Sequence, residues 1–361
     1  MEERSQLELD LIGCEKGVQI TLNFDKDTYK KIKKDNTLFN NNGHINNFII
    51  KIIMNYHDDY KKKNNHLKSD IKSYLMDEAK FALNDDQYEK ITWKIINGLD
   101  KTHIDSKSTA RKLKEQKITI KTTNNSRKVF GKITNDKPKD VGVAPYLCSI
   151  ILSYLNQPSY IREQIIYKDE IKAIQKAIEN NQKISFKNKN NKDPHINVSP
   201  YAIVPSKEEI YSYLVYQETN KKGQEVAMSV HICNIDWVEG VSEASEFNNE
   251  VLECFERMEK NGYQFSIRGK NECKVKLSED GSNIYNARYL ERPEVVNQEE
   301  DIYTFDCSGF QLENYFAPFH ENAIILAPEY NVRKTIEHYQ SAIQKYQKLM
   351  PELFDKEGNL I

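Results

Sequence analysis

The sequence lacks any apolar run of the roughly 20 residues that a membrane-crossing helix needs. Its longest stretch, Phe48-Ile49-Ile50-Lys51-Ile52-Ile53-Met54, is interrupted by a lysine. The amino terminus, Met1-Glu2-Glu3-Arg4, starts acidic and without an apolar signal region, so a cytoplasmic protein with no membrane partner is expected. There is no Cys-x-x-Cys. Cys14, Cys148, Cys233, Cys254, Cys273 and Cys307 lie far apart and read as reduced thiols rather than a metal site or a disulfide framework. The Walker loop, the dinucleotide fingerprint and the His-Glu-x-x-His motif are all missing. The eight histidines are scattered, with His44 beside a helix start and His231 on a strand. The acidic pairs Asp58-Asp59 and Asp85-Asp86 adjoin helix ends, where caps and solvated faces account for them. These absences argue against an enzyme: no catalytic residue, no metal and no cofactor is expected.

What is present is enough apolar surface to fold. Of 361 residues, 39% are hydrophobic and 10% aromatic, which supports real cores in two or three domains. The formal net charge of −2 hides an asymmetry. Residues 1–200 hold 36 Lys and Arg against 26 Asp and Glu, whereas residues 201–361 hold 16 against 28. A basic front half is the electrostatic footprint of a polyanion partner, or a solvated lysine-rich surface; the acidic back half does not suit nucleic acid.

The front half contains an internal repeat. Val18 to Phe24 alternates as a strand, Asp25 is placed to cap a helix carrying Tyr29 and Ile32, and Asn40-Asn41-Asn42-Gly43 breaks the chain. A second helix carries Ile45, Phe48, Ile49, Ile52, Ile53 and Tyr56 on one face. Shifted by 98 positions, Ile20 and Leu22 fall on Ile118 and Ile120, and Ile32 on Phe130. The second-helix set falls on Val143, Tyr146, Leu147, Ile150, Ile151 and Tyr154, without a gap. Phe24 against Thr122 and Tyr29 against Arg127 are the departures. Residues 16–62 and 116–160 are therefore two copies of one strand–helix–helix unit, the second degenerate, joined by a helical connector over 63–115. A unit with one strand cannot close its own core, so the two strands are expected to pair antiparallel. Gln19, Thr21 and Asn23 would then face outward with Lys117, Thr119 and Lys121. Such a ribbon either meets nucleic acid, with amides reading adenine and lysines contacting guanine or phosphate, or faces solvent.

Helices over 161–182 lead into the stretch from Lys183 to Val238, where four or five short runs alternate apolar and polar between turn clusters at 188–194 and 220–223. This spacing predicts a small curled β-barrel over 183–241. A helical linker over 242–270 ends at Asn261-Gly262. Residues 271–350 then read β-α-β-α-β-α: strands at Cys273–Leu277, Ile302–Phe305 and Ala323–Leu326, helices at Asn283–Leu290 and Phe310–Phe316, and a last helix with Val332, Ile336, Tyr339, Ile343 and Tyr346 in register.

Several phrases carry family likenesses. The strand–helix–helix unit, with its Gly-x-Ile-Asn-x-Phe-Ile entry at Gly43–Ile49, resembles a ribbon-helix-helix unit. Asn197-Val198-Ser199-Pro200-Tyr201-Ala202-Ile203, followed by Tyr211-Ser212-Tyr213-Leu214-Val215, resembles the WYL domain, an SH3-like barrel of prokaryotic regulators. Asn322 to Pro328 resembles the extension that follows WYL domains and commonly mediates dimerisation. Together with Arg292-Pro293, the arrangement resembles the WYL accessory proteins encoded beside RNA-targeting type VI-D CRISPR effectors. The resemblance implies an α+β multidomain chain: tandem ribbon-helix-helix units, a WYL barrel and an α/β dimerisation domain. It also implies a homodimer that binds single-stranded RNA and enhances the effector nuclease without cutting RNA. A transcription regulator binding duplex DNA is the alternative.

The family's basic ligand face falls here on Asn197, His231 and Asn234, which lack the arginine fork for phosphate. Lys183, Lys187 and Lys189 are placed to substitute as point charges. Tyr201 and Tyr213 keep the aromatic character, either stacking on a base or packing the barrel.

Overall fold

The structure, a computed structural model, describes residues 17–40, 43–79, 84–104, 116–138, 141–190, 193–206, 209–265, 272–355 and 357–360. Cys14, the acidic amino-terminal residues, and the parts of the connector, the turn clusters and the second linker at 80–83, 105–115, 191–192 and 266–271 lie outside them. The chain is a mixed α/β, multidomain molecule in two compact units, residues 1–171 and 172–361. Among the described residues no helix is long and apolar enough to cross a membrane.

The first unit is organised by one pair of strands. β1 (Gln19–Phe24) and β2 (Gln116–Lys121) run antiparallel, with Gln19 opposite Lys121, Thr21 opposite Thr119 and Asn23 opposite Lys117. Their period-2 pattern sends Ile20, Leu22, Phe24, Ile118 and Ile120 into the core, each worth about 1.5–3 kcal/mol on burial.

Each strand hands the chain to a capped helix. The Asp25 carboxylate starts α1 (Lys26–Asn40) by accepting from the backbone N–H of Asp27 and Thr28 and from the Thr28 hydroxyl. Thr123 starts α4 (Asn124–Asp136) in a capping box with Ser126. Positions 25 and 28 map onto 123 and 126 under the 98-residue shift, and Thr28 and Ser126 are both buried. The second helices are α2 (Ile45–Ala79) and α5 (Val143–Leu155), whose first residues are again 98 apart. Of the nine recurring apolar pairs, every member is buried except Ile45, which is half-buried.

The departures from symmetry have local causes. Thr122 stands where Phe24 stands in the first copy, at the opposite end of the ribbon. There it accepts the Val18 N–H through its hydroxyl (2.8 Å) and donates its own N–H to the Val18 carbonyl (2.9 Å). α2 does not stop near residue 62. It holds no Gly or Pro and runs for 35 residues into the connector, which continues as α3 (Asp85–Ile104). α5 ends before Pro158, after which α6 (Ser159–Ile166) and α7 (Lys168–Glu179) follow.

In the second unit β3 (Gln182–Asn188), β4 (His195–Pro205), β5 (Ser212–Thr219), β6 (Glu225–His231) and β7 (Ile235–Ala244) form one antiparallel sheet in the order β6-β5-β4-β3-β7. A curled barrel is expected from the sequence; among the described residues the sheet is open, because the outer strands β6 and β7 do not pair. α8 (Asn249–Asn261) packs Val251, Cys254, Phe255 and Met258 onto Val215 and Ala227. It ends at Gly262, whose φ of 112° suits glycine.

A second sheet follows: β8 (Glu272–Leu277), β9 (Glu294–Glu299), β10 (Ile302–Asp306) and β11 (Ala323–Ala327), in the order β11-β8-β10-β9. One face carries Cys273, Val275, Leu277, Phe305 and Ile325 against α10 (Gly309–Phe316), which Ser308 caps. α9 spans Glu279–Ala287, a turn earlier than its apolar residues suggest, because Ser278 caps it. β9 is an additional strand, almost wholly exposed and without the alternation that marks a strand in sequence. α11 (Glu329–Leu349) closes the unit.

Burial works against ionisation of Asp25, yet the hydrogen bonds from Thr28 and Asp27 outweigh it and hold its carboxyl below the ordinary 3.8. A depressed carboxylate contributes stability that is present above the unfolded value and lost as pH falls through the folded one. Asp25→Ala is expected to cost about 1 kcal/mol at neutral pH. In urea titrations the gap from the unmodified protein should close below pH ~4; a gap independent of pH would assign the cost to packing.

Candidate nucleic-acid interface

The register of β1 and β2 has a consequence for symmetry. Thr21 and Thr119 are partners across the ribbon and are also related by the 98-residue shift. Their hydroxyls lie 3.0 Å apart. The same holds deeper in the core, where the shift-related rings of Tyr56 and Tyr154 meet edge to face at 6.4 Å. Two self-paired positions define an axis, so the repeat forms a pseudo-twofold unit about a line through Thr21/Thr119 and Tyr56/Tyr154.

All six predicted ribbon residues are exposed on one face: Gln19, Thr21 and Asn23 on β1, Lys117, Thr119 and Lys121 on β2. The pseudo-twofold exchanges Gln19 with Lys117 and Asn23 with Lys121, so its two halves are chemically unlike. One strand presents amides and a hydroxyl; the other presents two ammonium groups, neither in an ion pair among the described residues. Each end of the ribbon thereby pairs one amide with one lysine.

The residues predicted for the WYL face are largely engaged within the sheet and its turns. Lys183 is paired with Glu243 at 3.2 Å, and Lys187 lies opposite Trp237 in the β3–β7 register. Lys189 donates its ammonium to the Cys233 carbonyl (2.7 Å) and its backbone N–H to the carbonyl of Asn234 (2.8 Å), which ties the β3 turn to the short helical turn Ile232–Asn234. Asn197 sits where the β3–β4 register shifts. Its φ of 53° is one asparagine tolerates, and its N–H donates to Ser185. Tyr201, 42% exposed, stacks on Phe255 of α8 at 4.5 Å, so packing occupies one of its faces. Tyr213 is only 4% exposed and donates its hydroxyl to Glu209.

The structure does bring Tyr213 and His231 together, with two residues the sequence reading missed. His231 stacks on Tyr211 at 4.7 Å, meets Tyr213 edge-on and lies 3.3 Å from the Glu209 carboxylate. Tyr211 was legible two residues before Tyr213 on an alternating run; Glu209 belongs to the preceding turn and carried no signal. A carboxylate at the centre of this cluster disfavours phosphate.

Comparison with known proteins gives a fold relationship. No family model and no curated protein matches the chain. A solved structure described as a CRISPR Cas-related protein matches with a TM-score of 0.67 at 18% identity, covering 92% of this chain and 95% of that one. The two share a fold over nearly their whole lengths. Proteasome accessory factor B/C of Arthrobacter aurescens aligns over 72% of this chain and 36% of its own, at 14% identity and a TM-score of 0.28, too low to indicate a common fold.

The register is directly testable. In a Thr21→Cys/Thr119→Cys variant, the two thiols should join within one chain under mild oxidation, seen as a faster-migrating monomer on a non-reducing gel. A cross-linked dimer would mean that β1 pairs with another chain instead.

Proposed function

We propose that the chain is a non-catalytic, homodimeric accessory protein of an RNA-guided type VI-D CRISPR nuclease, which binds single-stranded RNA and enhances the effector. In this reading the two strand–helix–helix copies are tandem ribbon-helix-helix units and the five-stranded sheet is a WYL domain. Residues 271–350 are the dimerisation module. The solved structure of similar fold is described as CRISPR Cas-related, which supports the setting.

The observation that carries the RNA reading is the unequal charge of the ribbon. A duplex groove is flanked by a phosphate backbone on both sides, and a ribbon lying in it gains from cations on both strands. A single strand has one backbone and bases free to splay. A neutral strand of Gln19, Thr21 and Asn23 beside a strand holding Lys117 and Lys121 suits that arrangement. Phosphates follow β2 and base edges lie over β1. The duplex-DNA regulator remains the second reading, favoured by the two-stranded ribbon itself, whose width fits a major groove.

The homodimer rests on α11. Its start is anchored on α10, with the Asn331 side chain donating to the Gly309 carbonyl and to Glu313 and Lys334 pairing with Glu313, and Gln347 in its last turn donates to the Gly358 carbonyl. Along it, Ile336, Tyr339, Ile343, Tyr346 and Met350 recur at steps of three and four, the seam of a helix pair, yet Ile336 is 51% and Tyr346 60% exposed.

Two measurements test these readings. Binding to matched single-stranded RNA, single-stranded DNA and duplex DNA should favour RNA. For Lys117→Ala/Lys121→Ala, the slope of log K against log salt should fall by about 1.4, or about 0.7 for each phosphate no longer neutralised. Gln19→Ala/Asn23→Ala should weaken binding with the slope intact. Tight binding to duplex DNA alone would select the regulator. In sedimentation, Ile336→Glu/Ile343→Glu should give a folded monomer; a persistent dimer would place the interface elsewhere.

A further inference from the structure

Within the second unit, an open cleft of about 1620 Å³ is walled by β6 and α8 on one side and by the outer face of the β8–β11 sheet on the other. We propose that this cleft docks a basic, extended polypeptide segment of a partner protein. The inference goes beyond RNA binding and does not depend on which nucleic acid the ribbon takes.

Size comes first. Small-molecule sites occupy about 300–1,000 Å³, so the cleft is larger than one needs and has room for a chain segment. Charge comes next. The two cations in the lining are already neutralised, Arg257 by Asp306 and Lys274 by Glu272. Among the described residues Glu225 and Glu299 accept from neutral neighbours, Thr219 and Asn297. Together with Glu250 and Glu253 they leave four exposed carboxylates without an ion pair among the described residues. That excess repels a phosphate polymer and favours lysine or arginine.

The lining is not merely acidic. Val296, 65% exposed, Leu326, 43% exposed, and half-buried Ile302 add apolar side chains at separate points of the lining, so the fitting segment carries apolar as well as cationic residues. The backbone supplies the remaining feature. β6 and β9 are each the outer strand of their sheets, and both contribute to the walls. The outer edge of β9, unpaired with another strand among the described residues, suits an extended segment that adds main-chain hydrogen bonds, with alternate side chains turned to the carboxylates and to the apolar residues of the lining.

The test uses the full-length protein and a fluorescein-labelled decapeptide of alternating lysine and valine, with its glutamate–valine counterpart, read by anisotropy at about 100 mM salt, where the screening length is about 10 Å. The lysine peptide should bind and the glutamate peptide should not. Glu250→Lys/Glu253→Lys should weaken the lysine peptide about tenfold, while Glu337→Lys/Glu352→Lys, an equal change in net charge on α11 and just beyond it, should leave it unchanged. RNA affinity of the cleft variant should not fall, which separates this proposal from the ribbon reading. Equal losses in the two variants would reduce the effect to overall charge and overturn the proposal. Absence of lysine-peptide binding would overturn it too, as would a change in oligomeric state in the cleft variant, which would mark the cleft as a contact between copies.

Discussion

One backbone pairing, between strands 98 residues apart, is the constraint on which the first unit rests. A single strand followed by two helices has an apolar face and a row of unpaired amide and carbonyl groups, and it can satisfy neither alone. Joining β1 to β2 resolves both at once. The ladder is made within the pair, and the five inward side chains meet helices from both copies. Closing so long a loop costs little more than closing a short one, because the entropy of closure grows only logarithmically with length. The long connector is therefore tolerated, and helical structure fills most of its described part.

The pairing register also decides what the unit shows to its surroundings. Side chains alternate with period 2, so a slip of one residue would bury Lys117 and Lys121 and expose Ile118 and Ile120. Burial thus fixes the outward set as firmly as the inward one. The two faces differ in freedom to vary. Most inward positions of the two copies keep residues of similar size, as Leu22/Ile120 and Ile49/Leu147 illustrate, because packed interiors tolerate little change in volume; Phe24/Thr122 is the exception. The outward positions have moved apart to Gln19/Lys117 and Asn23/Lys121. Fusing both copies into one chain is what allows this. In a symmetric dimer of single units, a lysine gained on one strand would appear on both.

How much of this was legible in the sequence follows from the same physics. The repeat could be read because Ile49/Leu147 and Ile52/Ile150 are core positions, and a core constrains residue type. The cap at Asp25 could be read because few residues can satisfy an open helix end. β9 could not be read as a strand: on an outer edge with solvent around it, Val295 to Glu299 has no buried face to impose alternation. The continuation of α2 past Tyr60 was obscured because Lys61 to Asn65 is polar all round, so periodicity fades while helix propensity persists. The WYL face was the least legible. Tyr213 entered through its place in the WYL-like phrase, with packing as the alternative to stacking on a base, and β5 is covered on both faces and buries Ser212 and Tyr213 alike. The partner that occupies the Tyr213 hydroxyl, Glu209, comes from a turn, and only the folded sheet brings it there.

The charge division along the chain gains a physical meaning from these placements. A near-neutral total would suggest a protein indifferent to polyions, but the lysines of β2 and the carboxylates of the cleft belong to different compact units. In the readings proposed above, a phosphate polymer is attracted to the ribbon and repelled by the cleft. A cationic protein segment experiences the reverse. Placing both signs on one chain gives a polyanion and a basic protein segment different surfaces to bind, which fits the accessory role proposed above.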